Sequence, residues 1–475
     1  MTEAEHTMWM KGQGLSQSHV PPARAMTTTR GAWRQRHAPP GRALVAAAIL
    51  LTTGGVGLAA LRRVPATPLV YTVTVGRGPT AAIMDAGGPL FVSNDADATV
   101  SALDAATCRP LYTVRTGVTG VLTAQAMALD AGRQRLFVVN SDDIGTASQL
   151  VALDARTGAI VRVVRAGHNA RAVAVDTRAG HVFVANAADH TVSMLDAAGL
   201  ALVRTVDVPY APTAIAVDAR AARAVVVGYS DRFHDPDERT MGWASLLDTG
   251  AGTLLRTVGL GAGAGAVVVD APAGRAVVAN EADGTLSLLD TRSGRVVRTV
   301  PVSQGPMTLA VDARRGRVVV MNGWDGVLRV VDARTGTLLR TAYLGSPPSV
   351  MAAPPRAVAV DERSGRVFVT AWGRTDAVGL PLGDGWVQAL DASTGAAPVT
   401  IPVGVAPVAI SVEERSGRAI VVNGGGVIDA DGGWQGQVLR RAGQWLPWLP
   451  WLSPGATARP PVPGSVSVLA PSAAL

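Results

Sequence analysis

The sequence predicts an all-β protein, an eight-bladed β-propeller of four-stranded blades. Three observations carry that prediction. A unit of about 42 residues recurs along the chain; each copy holds short Val/Ala/Leu runs bounded by turn residues; and one such run stands ahead of the first copy while the last copy lacks one. A single copy reads AVAVDTRAGHVFVANAADHTVSMLDAAG, from Ala172 to Gly199. Its first run, the inner strand a, ends at an acid, and the equivalents are Asp85, Asp130, Asp176, Asp218, Asp270, Asp312, Asp361 and Glu413, spaced by 42 to 52 residues. The second run, strand b, reads LFVS, LFVV, VFVA, AVVV, AVVA, VVVM, VFVT and AIVV in successive copies. The third, strand c, ends in Leu-Asp or its equivalent at Asp104, Asp154, Asp196, Asp248, Asp290, Asp332 and Asp391, with Ala470 in the eighth copy.

The fourth run, strand d, is of the RTV type, as at Leu202–Val208 and Val296–Val302. Val70–Val75 has this character but precedes every strand a, and the eighth copy ends after strand c. The two chain ends are therefore expected to share the last blade, closing the ring without a disulfide and leaving no open sheet edge. Seven blades is the alternative, if the insertion-rich final copies fuse. The repeated acids stand in turn sequences such as Asp176-Thr-Arg-Ala-Gly180 and Asp154-Ala-Arg-Thr-Gly158, where a carboxylate caps its own turn and Gly supplies positive φ. They read as turn caps, not as a catalytic set.

Composition sets the limits. With 48% hydrophobic and 17% charged residues among 475, material for a core is ample, and with 4% aromatics it must be built from Val, Ala and Leu. The single cysteine, Cys108, excludes an internal disulfide, a cysteine zinc site and a Cys-x-x-Cys-His haem attachment, and reads as an incidental thiol. The net charge of +7 invites a nucleic-acid reading, but residues 1–42 carry net +4, Arg62 and Arg63 add two, and from Val64 onward 35 basic face 34 acidic residues. No nucleic-acid partner is expected.

Residues 43–61, ALVAAAILLTTGGVGLAAL, form an uncharged stretch long enough to span a bilayer as a helix. Six basic residues before it place the N-terminus inside, with residues 1–42 a basic, disordered cytoplasmic tail, 62–69 a linker and 70–475 the propeller outside a bacterial cytoplasmic membrane. The expected topology is a single-pass signal anchor. A cleaved signal peptide starting from Met26, which would release the protein, is the competing reading.

The repeat resembles the YVTN-type β-propeller repeats, including the YncE-like exported proteins, on Thr74–Pro79 (TVGRGP), Val182–Asn186 (VFVAN), Thr191–Asp196 (TVSMLD) and Ile401–Pro407 (IPVGVAP). The resemblance covers about Val70 to Leu475. It implies the propeller fold and a binding or scaffold role, and nothing about the loops that are longer here than in the family unit.

Those loops are where a site is expected. In an antiparallel blade the b-to-c and d-to-a connections share one face and the a-to-b and c-to-d turns share the other. The long insertions, 228–242, 345–356, 371–385 and 423–464, all fall on the first. Of ten tryptophans, the eight beyond the membrane segment sit in or at the end of b-to-c connections. Trp324, Trp372, Trp386, Trp434 and Arg374 are the expected ligand-binding residues, for an extracytoplasmic protein, peptide or cell-wall glycan. The competing explanation is that long loops on small-residue blades need tryptophan to pack themselves down. The Pro-spaced Trp445, Trp448 and Trp451, with Arg440 and Arg441, suggest a partner or membrane surface, or else a lid. His234, among four carboxylates in 231–238, is a weak metal candidate in no known cage spacing, and His168, His181 and His190 occupy unrelated turn positions. With no G-x-S-x-G, Walker or His-Glu-x-x-His motif, no catalytic residue and no cofactor are expected. A lactonase-like hydrolase with a metal in the central channel is the alternative.

Overall fold

In a computed structural model of the chain, the described residues are 71–84, 88–117, 126–141, 147–230, 241–303, 305–323, 326–344, 355–373, 383–395, 399–413, 415–425 and 463–469. The chain divides into two units, Met1–Arg63 and Val64–Leu475, and every described residue belongs to the second. The expected tail, membrane segment 43–61 and linker lie outside the described residues. Among the described residues no helix is long and apolar enough to cross a membrane.

Eight separate four-stranded antiparallel sheets form, one per sequence copy, and the eight-blade reading holds over the seven-blade one. Their inner strands are Pro79–Met84, Ala126–Asp130, Ala170–Asp176, Pro212–Asp218, Ala264–Asp270, Pro306–Asp312, Pro355–Asp361 and Pro407–Glu413. Each lies against the inner strand of the next blade, the eighth against the first, so they surround an axial channel. The ring closes as the chain ends imply. Tyr71–Thr74 is the outer strand of blade 8, paired antiparallel with Ser465–Leu469 in the register Tyr71↔Val468 to Thr74↔Ser465. The Val75 amide donates to the Gly464 carbonyl at 3.0 Å and extends the ladder.

The core lies between blades. Each hydrophobic cluster takes residues from two neighbours: Phe137 and Leu150 pack with Val182 and Leu195, Val277 and Leu286 with Val318 and Val331, and across the closure Leu90 and Val92 with Ile420, Val466 and Val468. Alternate strand residues point to the two blade faces, so the Val/Ala/Leu runs serve both neighbours at once. Four phenylalanines, Phe91, Phe137, Phe183 and Phe368, share one strand-b position and supply the bulk that the small residues lack.

Turn chemistry matches the repeated acids. Asp154 Oδ1 accepts from the Thr157 amide and hydroxyl, each at 2.9 Å, and the hydroxyl bond first, then the amide, hold this carboxyl below the usual range. Gly158 takes the left-handed φ of 75° that ends the turn. The turns of this face also latch blade to blade. Arg133 donates to the Thr177 carbonyl at 2.8 Å, Arg315 to Glu362 at 2.7 Å, and His181 to Thr249 at 2.8 Å. Arg363 reaches the Arg415 carbonyl, and Arg418 reaches Ala106 across the closure. Farther out, Tyr112, Arg298 and Arg340 donate to Ala155, Thr335 and Ser393 of the next blades. Burial first, then the Asp154 charge, push the Tyr112 phenol up to about 12, so it stays a donor across the physiological range.

On the opposite face a second repeated device closes the short b-to-c turns. A buried Asn ends strand b, and its amide donates to two hydroxyls of strand c: Asn94 to Thr99 and Ser101, Asn186 to Thr191 and Ser193, Asn280 to Thr285 and Ser287. Blade 8 keeps the clip from Asn423 to Ser465 and Ser467 although 41 residues intervene between its strands b and c.

Candidate functional site

The two faces of the ring differ in kind. The a-to-b and c-to-d connections are short in every blade. Each strand a begins where strand b ends, as in Pro79↔Asn94 and Ala170↔Asn186, so the b-to-c and d-to-a connections emerge together. Every long gap between strands is among them: Tyr229 to Gly242, Ala371 to Asp384, Asn423 to Ser465 and Tyr343 to Pro355. Arg115 to Ala126 is a further one that the sequence reading passed over.

Of the residues expected to bind a ligand, Trp372 and Trp386 are described; Trp324, Arg374 and Trp434 lie outside the described residues. So do Trp445, Trp448, Trp451, Arg440, Arg441 and His234. Trp243 and Trp386 are not loop residues. They sit on strands c, Gly242–Asp248 and Asp384–Asp391, opposite Gly228 and Ala371. These are the positions that hold the Thr and Asn of the clip in blades 1, 3 and 5. Blades 4 and 7, with long b-to-c insertions, have replaced a hydrogen-bonded pair by an indole against a small residue. Trp243 is 4% exposed inside the core cluster of blades 3 and 4. A Cβ on Gly228 would fall 2.7 Å from its Cζ2 and 2.3 Å from the Ala211 carbonyl oxygen, so only glycine fits.

Trp372 is different. It follows strand b of blade 7, is half-buried, and carries the Arg356 guanidinium 4.0 Å above its ring centroid. Gly373 lies tight against the start of strand c, where a Cβ would meet the Asp384 carbonyl oxygen at 2.1 Å, so only glycine fits. The indole nitrogens of Trp372 and Trp386 are turned inward, with no hydrogen-bond partner among the described residues. What blade 7 offers outward is therefore an arginine braced on an indole face, an arrangement that leaves the in-plane N–H groups free to bind. Burial lowers the Arg356 pKa, though a guanidinium keeps its charge in water throughout the ordinary pH range.

Arg356 stands five residues before Asp361, at a β-bulge that recurs in seven inner strands. The other bulge residues are Thr80, Arg171, Thr213, Gly265, Met307 and Val408. Arg171 and Arg356 had no place among the predicted site residues. Aligning the copies on the strand-a acid would have found them, since ARAVAVD and PRAVAVD stand beside PTAIAVD and AGAVVVD. Three acids near this face are engaged by the scaffold: Asp97 with Arg77, Asp189 with His168, and Asp283 with the Ala262 amide. Among the described residues no three His, Cys, Asp or Glu side chains come together to hold a metal ion. Cys108 is buried in the closure cluster.

No protein-family model and no curated protein matches this sequence. Among solved structures, the chain is similar to BamB from Moraxella catarrhalis, at 16% identity and a TM-score of 0.54, over 85% of this chain and 99% of that one. The chain has the β-propeller fold. A second similarity, to U3-55K, has 11% identity and a TM-score of 0.48, over 84% of this chain and 98% of that one. At 16% identity the likeness to BamB describes the scaffold and says nothing about the loop face.

Proposed function

We propose that this protein is a non-catalytic binding or scaffold protein whose partner docks on the long-loop face. In this reading it is a YVTN-type, YncE-like propeller tethered to a bacterial cytoplasmic membrane by residues 43–61, with the N-terminus inside and the propeller outside. The partner is an extracytoplasmic protein, peptide or cell-wall glycan. One observation carries the proposal: the faces are built for different tasks. One consists of short turns whose side chains are spent on capping and on latching blade to blade. The other carries the long connections and the outward Arg356–Trp372 stack. Long connections that exceed the short turns a blade requires are where binding residues are placed.

Photo-cross-linking in living cells tests this. The full chain with a photoreactive residue at position 374 or 434 is expected to give discrete adducts, whereas position 178 or 292, on the turn face, gives none. Adducts from the turn-face positions with none from the loop positions would contradict the proposal. Residues 1–42 are expected to be shielded from protease in intact cells and the propeller to be accessible; the reverse pattern would contradict the topology.

A further inference from the structure

We propose that the mouth of the axial channel on the long-loop face is an anion site, in which Arg171 and Arg356 hold carboxylates of an extended acidic peptide. Blades 3 and 7 are four apart in a ring of eight, so the two arginines stand on opposite sides of the opening. Each occupies the bulge at the start of an inner strand, where the strand begins on that face, and each is solvent-accessible. Among the described residues neither makes an ion pair, and the other bulge residues of the ring are uncharged. On the same face Asp97 is ion-paired to Arg77 and Asp189 accepts a hydrogen bond from the His168 amide, so neither is engaged with Arg171 or Arg356. Two guanidinium groups without an ion-pair partner among the described residues, set at a concave opening, focus positive potential there.

The geometry also favours a peptide. Arg356 is stacked by its face on Trp372, which fixes the plane of its N–H fork and suits it to the two oxygens of a carboxylate. The inner strands pair on one side only, so their second edges, with backbone donors and acceptors, face the channel. An extended peptide can use those edges as well as the arginines, which a free phosphate or a neutral glycan cannot. Resting on the loop-face proposal, this assignment names its ligand chemistry and the residues that read it.

The test is a fluorescence-anisotropy titration of the full-length protein, in an uncharged detergent, with a labelled hexaglutamate peptide and a hexaglutamine control. Hexaglutamate is expected to bind and hexaglutamine not to. Arg171→Gln and Arg356→Gln are each expected to weaken binding by about tenfold or more, and the double variant to abolish it, as for loss of a charged hydrogen-bonded partner. Arg178→Gln, which removes an exposed turn-face arginine, should leave binding unchanged. Equal binding by wild type and the double variant would overturn the assignment, as would an equal loss in Arg178→Gln or displacement by inorganic phosphate at the peptide's own concentration. If hexaglutamate binding survives the double variant but is lost on alanine substitution of Trp324, Trp372, Trp386, Trp434 and Arg374 together, the anion site fails and the loop-face proposal stands. If it survives both, both fail for this ligand.

Discussion

Replacing Tyr71–Thr74 with Gly-Ser-Gly-Ser is expected to open the ring and convert a monodisperse protein into an aggregating one. The segment is the entire fourth strand of blade 8, and its removal takes away the ladder to Ser465–Leu469 and the Thr72–Ser467 hydroxyl contact at 3.3 Å. It also strips Val73 from the cluster that joins Leu90 and Val92 of blade 1 to Ile420 and Val466 of blade 8, and frees Val75 to leave it. A buried Val is worth ~2 kcal/mol and each net hydrogen bond ~1 kcal/mol. The loss is therefore on the order of 5 kcal/mol, a large part of what a folded domain has to spare. The exposed edge of Ser465–Leu469 then becomes a template for intermolecular pairing. Urea unfolding and size-exclusion chromatography read the result. An unchanged midpoint and elution volume would mean that the chain ends do not close the ring.

The second large effect is expected at Trp243. Trp243→Ala removes a fully packed indole between blades 3 and 4 and should cost ~3–5 kcal/mol. Gly228→Val should be comparably damaging by the opposite route, since its Cβ has no room between Trp243 and the Ala211 carbonyl. Trp372→Ala, half-exposed and outside the inter-blade clusters, should cost ~1 kcal/mol or less. The ordering of the three in urea unfolding separates tryptophans that hold the scaffold from those available to a ligand. A Trp372→Ala loss as large as that of Trp243→Ala would erase the distinction.

Much of this was legible in the sequence because a propeller repeats its physics. The acid ending strand a, the Leu-Asp ending strand c and the orphan strand at Val70–Val75 each recur or fail to recur in one dimension, and blade number and closure follow from counting. Tryptophan was harder. Its clustering in b-to-c connections is visible in sequence, but its role depends on register. Trp386 falls opposite Ala371 and Trp243 opposite Gly228, and only strand pairing shows that these replace an Asn–Thr clip. Arg356 was passed over for the converse reason: it reads as the end of a loop, and its significance lies in a bulge and in an indole sixteen positions away in the chain. The acids showed the same limit at Asp270. Burial, then repulsion from Asp312 and Asp332, raise its pKa although it holds the same turn position as the other strand-a acids.

The central claim is that the partner binds on the long-loop face of the ring and not on the short-turn face. Hydrogen–deuterium exchange of the full-length protein, with and without saturating hexaglutamate, tests it most directly. Protection is expected at the starts of the inner strands around Arg171 and Arg356 and at Trp372, with no change at the turns following Asp176, Asp270 and Asp312. Protection centred on those turns, with none at the channel mouth, would contradict it.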